Sequence, residues 1–208
     1  MNTRTPAITT LIAAISLCFG SAAFAQSPAM SKADYKAGKS AAEADYKTAK
    51  AACKQLSGNA KDICEAEAKG REKVSLAELS ASYQPSVKTR YEVRVAKAEA
   101  DYAVAKEKCD DVAGNVKDVC RKEAEAARVA AKADAKASMK TVEAKVTAGE
   151  KTAVVQNAAN KTITGARKDA ATDKNDADYA VAKEKCDALA GAAKDACVMD
   201  AKKRFSKS

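Results

Sequence analysis

Six cysteines recur at one spacing in this 208-residue chain: Cys53 and Cys64, Cys109 and Cys120, Cys186 and Cys197. A thiol can attack a substrate, ligate a metal, exchange electrons or close a disulfide, and its surroundings decide among these. Each pair reads C-x10-C, with a glycine five residues after the first cysteine: Gly58, Gly114 and Gly191. Nucleophilic catalysis lacks its usual base, because the chain contains no histidine. Zinc binding lacks the same ligand, and the interval is far longer than that of a zinc knuckle. The adjacent pairing of a redox C-x-x-C is absent as well. What remains is a disulfide within each pair. Six cysteines allow many pairings, but threefold recurrence of one local spacing favours the three local ones, Cys53–Cys64, Cys109–Cys120 and Cys186–Cys197. The acidic residues belong to solvated helix faces, with no apolar pocket to raise a carboxyl pKa. The chain reads as a non-enzyme with no catalytic residue, metal, cofactor or small-molecule substrate.

Two further patterns bear on binding. An Asp-Tyr pair precedes each first cysteine: Asp45-Tyr46, Asp101-Tyr102 and Asp178-Tyr179. Tyrosine at a helix seam is first a packing residue, and a recognition surface is the alternative. Arg128, Lys132, Lys136 and Lys140 stand four apart and make one basic stripe, while Lys202, Lys203, Arg204 and Lys207 cluster at the C-terminus. A solvated face is the simpler reading. Contact with an anionic envelope polymer through charge alone is the functional one. The formal net charge of +9 is interspersed along the chain, as on a solvated helix surface, rather than gathered into a nucleic-acid footprint.

The compartment follows from the first residues. Residues 1–25 read as a cleaved signal peptide: Arg4 gives a short positive region, Ile8 to Ala23 an apolar run, and Ala23-Phe24-Ala25 an A-x-A cleavage site. A retained anchor and a lipoprotein acylated at Cys18 are the alternatives. Export to the periplasm, or beyond it to the outside, removes Cys18 and leaves an even number of thiols where disulfides persist.

The elements that position the cysteines are helices. Tryptophan is absent, aromatics are 4% of residues, and alanine, lysine and acids dominate. Such a chain favours helix and has few large side chains for a thick core. Before each glycine the spacing is that of an a/d seam: Tyr46, Ala49, Cys53, Leu56; Tyr102, Ala105, Cys109, Val112; Tyr179, Ala182, Cys186, Leu189. After the second turn, Cys120, Ala124, Ala127 and Ala131 continue a stripe of small residues. A glycine at C′ with Asn59 or Asn115 as the next N-cap would close a tight helix–turn–helix. The two cysteines then face each other. In one unbroken helix they would lie roughly 16 Å apart, beyond disulfide reach.

The expected fold is all-α, an elongated, coiled-coil-like array of antiparallel hairpins, each stapled by one disulfide. Hairpin one spans 26–87, broken at Pro85. Hairpin two spans 88–147. Residues 148–176 read as linker or frayed helix, and hairpin three spans 177–208. Ala192 replaces the asparagine in the third unit, which should be the weakest.

Through Asp45–Cys64, Asp101–Cys120 and Asp178–Cys197 the pattern DY-x2-AK-x2-C-x4-G-N-x-KD-x-C resembles exported proteobacterial Ala/Lys-rich repeat proteins. These are often labelled TolA-like or cell-envelope biogenesis proteins. The resemblance implies a structural or interaction element of the envelope, with envelope proteins or anionic polymers as partners. A holdase-like chaperone and a module for lipopolysaccharide, peptidoglycan or nucleic acid are the rival readings.

Overall fold

The computed structural model describes residues 30–149 and 153–207. The signal-peptide reading of 1–25 and the lipoprotein reading of Cys18 lie outside them. Six α-helices follow one another: α1 Lys32–Cys53, α2 Gly58–Tyr83, α3 Val87–Lys108, α4 Gly114–Gly149, α5 Ala153–Cys186 and α6 Gly191–Arg204. No strand occurs among the described residues. Local chemistry sets several ends. Ser31 caps α1 by accepting from the Asp34 amide at 3.1 Å. Pro85 separates α2 from α3, and Ser86 opens α3 with a capping box in which Thr89 answers its amide at 2.9 Å.

Each helix packs on its neighbours in sequence, so the described residues run up and down as one antiparallel array with α1 and α6 at its edges. All three disulfides therefore lie at the same end. Their Cα–Cα distances of 5.6, 5.6 and 5.7 Å show the hairpin geometry that the cysteine spacing requires.

The interior is thin. The buried apolar residues are all alanines, apart from Cys53, Cys109 and Cys186. Small side chains let the helices approach closely. A Cβ added to Gly70 of α2 would stand 2.8 Å from the Ala100 Cβ of α3. In α4, burial falls on Ala124, Ala126, Ala133, Ala135 and Ala144. The expected single stripe needs correction, since Ala127 and Ala131 are exposed. A helix inside an array has a neighbour on each side, so it buries two stripes rather than one.

Residues 148–176 also need correction. From Ala153 onward they form helix continuous with the first arm of hairpin three, and α5 packs along α4. Ala159, Ala166 and Ala170 are buried there, with Ile163 completing a 4-3-4 seam. At 36 and 34 residues, α4 and α5 are the longest helices, whereas α6 has 14 and covers only the stapled end of α5.

Candidate functional site

The stapled end is the most repetitive part of the molecule. After Cys53 the helix unwinds through 3-10-type hydrogen bonds, Lys54 N–H to the Ala51 carbonyl at 3.2 Å and Leu56 N–H to that of Cys53 at 3.0 Å. The same happens as a 3-10 turn at Cys109–Asp111. Gly58, Gly114 and Gly191 then adopt φ of 56°, 59° and 56°, the left-handed region that glycine enters without a Cβ penalty. Their conformation is the expected one, but their place is not. Each opens the second helix instead of sitting at C′ of the first, because the first helix has already ended at the cysteine.

Asn59 and Asn115 consequently lie inside the first turn and do not act as N-caps. Their side chains reach sideways. The Asn59 Nδ2 donates to the Glu107 carbonyl at 2.8 Å, and the Asn115 Nδ2 donates to the Glu184 carbonyl at 3.1 Å. Glu107 and Glu184 each stand two residues before the first cysteine of the following repeat. Each asparagine thus ties its turn to the next hairpin. Ala192, at the matching position of the third repeat, has no such side chain.

The turns also carry ion pairs. Asp110 receives Lys117 at 3.1 Å and Arg121 at 2.8 Å, and Lys117 followed by Arg121 holds its carboxyl below the ordinary value. In the third repeat Lys194 meets Asp187 at 2.9 Å, which raises the lysine pKa. In the first repeat the matching positions are Lys54 and Lys61, so the attraction is lost.

The tyrosines of the Asp-Tyr pairs are half-buried, and each meets the residue eight places after the second cysteine or that residue's ion-pair partner. Arg128 lies 4.4 Å over the Tyr102 ring. Phe205 tilts against Tyr179 at 6.2 Å. In the first repeat Glu72 holds Lys69 at 2.7 Å, and Lys69 lies 4.7 Å over Tyr46. A further ring pair, Tyr35 and Tyr83, stacks at 4.4 Å where the open end of hairpin one closes. Asp45, Asp101 and Asp178 point to solvent. Leu56, Val112 and Leu189 fall out of the expected seam, with 45%, 40% and 45% of their surfaces exposed. The backbone has left helical geometry by that point, and the three side chains project from the turns.

The predicted basic stripe divides in two. Arg128 is held by Glu125 at 2.7 Å and Glu99 at 3.1 Å, and Lys132 by Glu99 at 2.5 Å. The Lys132 and Arg128 hydrogen bonds keep the Glu99 carboxyl below its ordinary value. These residues join α3 to α4. Lys136 and Lys140 sit beside Asp169 and Asp173 in the α4–α5 groove. At the C-terminus Lys202, Lys203 and Arg204 are exposed, Arg204 lies over Phe205 at 5.3 Å, and Lys207 pairs with Asp176.

No family model, curated protein or solved structure matches this chain. Among the described residues no group of three or more metal-ligating side chains converges, and no helix is long and apolar enough to cross a membrane. An open groove of about 670 Å³ between α2 and α3 is lined by Val74, Val104 and Ala105 among charged residues.

Proposed function

We propose that the chain is an exported, non-enzymatic helical protein that serves the cell envelope as a structural or interaction element, in keeping with the repeat proteins it resembles. The observation that supports this most is the pairing of an Ala-thin interior with three in-register staples. A hairpin array held by disulfides suits an oxidising compartment, and an array without a thick core leaves most side chains on its surface for partners. The periplasm is the proposed location, with the outside of the cell as the alternative.

The test is fractionation of a Gram-negative host expressing the chain with its own N-terminal residues. Release by osmotic shock, with all six thiols of the repeats blocked to alkylation before reduction, supports the reading. Retention in the cytoplasm with free thiols sinks it. A holdase-like role is the second reading, and it draws on Val142, Val146 and Val154, which are 39%, 57% and 77% exposed near the ends of α4 and α5 opposite the staples. Suppression of client aggregation that disappears on changing these valines to serine would favour it.

A further inference from the structure

We infer that the outward lysine stripe of α1 binds a linear, flexible polyanion. Lys32, Lys36, Lys39, Lys47, Lys50 and Lys54 recur every three or four residues, with Glu43 filling the one gap. That spacing places them on one face, and all six are exposed. The stripe runs the length of a 22-residue helix, roughly 33 Å at 1.5 Å per residue. The remaining acids of α1, Asp34 and Asp45, fall on the opposite face of the helical wheel.

Two comparisons within the molecule set this stripe apart. On α4, Arg128 and Lys132 are seated on Glu99 and Glu125 and knit helices together. Among the described residues none of the six α1 lysines is seated on a carboxylate; the nearest partner is the Tyr46 ring, 5.9 Å from Lys50. The second comparison is between repeats, because Lys54 stands where the later copies place Asp110 and Asp187. The stripe thus continues into the turn at a position where its own copies carry the opposite charge. Among the described helices, α2 is the one packed along α1.

The occupant follows from what the stripe lacks. A protein partner is gripped by a cluster of desolvated aromatic or aliphatic anchors. The ring beside Lys50, Tyr46, is half-buried under Lys69, and the one exposed large aliphatic, Leu56, stands past their end in the turn. A membrane-surface helix buries an apolar face, and that side of α1, with Ala42 and Cys53, is already spent on α2. Regularly spaced charge alone suits a polymer whose only regular feature is charge. The assignment names a partner class for the interaction element proposed above and rests on that reading. Binding in vitro does not depend on cellular location, so the two can fail separately.

The test uses the disulfide-intact chain with two probes, inorganic polyphosphate and polygalacturonate, against vesicles of phosphatidylglycerol and phosphatidylcholine. Up to six lysine contacts give a log–log salt slope approaching about −4, or an affinity loss of roughly two orders of magnitude from 50 to 200 mM salt. The variant K36Q/K39Q/K47Q/K50Q should keep its helical signal and lose more than half of that slope. The variant K136Q/K140Q should keep both. Binding to either polymer with this pattern supports the assignment. Unchanged affinity and slope in the α1 variant, binding to vesicles alone, or no binding to either polymer at low salt would each overturn it.

Discussion

At the residue scale, the turn glycines and asparagines act through geometry that no other side chain reproduces. Gly114 holds φ at 59° with open space around its absent side chain, so Gly114→Ala meets only backbone strain. Left-handed backbone costs a non-glycine residue about 1–2 kcal/mol, so the variant should lose about that much unfolding free energy and show a lower melting temperature in a thermal scan. The asparagine bonds predict an asymmetric series. Asn59→Ala and Asn115→Ala each remove a bond to a neighbouring hairpin worth about 1 kcal/mol, whereas among the described residues no further hairpin stands beside Ala192, so Ala192→Asn should leave the melt unchanged. A gain from Ala192→Asn equal to the loss from Asn59→Ala would refute the docking role. The Glu99 and Asp110 carboxyls titrate below their ordinary values of 4.5 and 3.8 because they answer Lys132 with Arg128, and Lys117 with Arg121. A depressed carboxyl pKa adds stability above the ordinary value and loses it as pH falls through the shifted one. The melting temperature should therefore drop as pH is lowered below about 4.5, and the drop should shrink in Glu99→Gln. The cysteine pairing was readable from spacing alone. The asparagine role was not, because its acceptor lies 48 residues away and becomes a neighbour only once the hairpins are side by side.

At the element scale, a helix seam of alanine leaves the staples a large share of each hairpin's stability. A disulfide closing a loop of this size contributes roughly 3 kcal/mol in the chain-entropy view. Reduction should lower both helical content and melting temperature, and an unchanged melt would show the Ala seams to be sufficient. The third hairpin should respond first. At 14 residues α6 is near the length at which isolated helices are marginal, held otherwise by Phe205 on Tyr179 and Lys207 on Asp176. Hydrogen exchange after reduction should therefore release α6 before α1 or α2. The same experiment bears on 153–176, where the sequence suggested a linker. Asparagine, threonine and Gly165 there weaken helix propensity, and the packing that overrides them comes from α4, a helix whose contact stripe cannot be recognised until its partner is known. Slow exchange at Ile163 and Ala166 in the oxidised chain is the expected outcome.

At the scale of the whole molecule, an array in which packing runs between sequence neighbours has stability close to a sum of unit and interface contributions. Unfolding should accordingly be graded, with the edge helices opening at lower denaturant than α3 and α4, and a single sharp transition by every probe would contradict this. Hairpins and staples were legible because they are local. The order in which hairpins stand side by side, and the two-sided burial of α4, depended on contacts between repeats that no internal spacing encodes.

The forward reach of the asparagines gives the molecule a head and a tail. The second and third units present the same backbone carbonyl to the unit before them, and the first and second extend an amide to the unit after them. Length can then change by whole units without inventing an interface, since a duplicated second repeat would find an amide behind it and offer one ahead. At position 192 alanine stands in place of that asparagine, so the third unit lacks the amide that the first two extend.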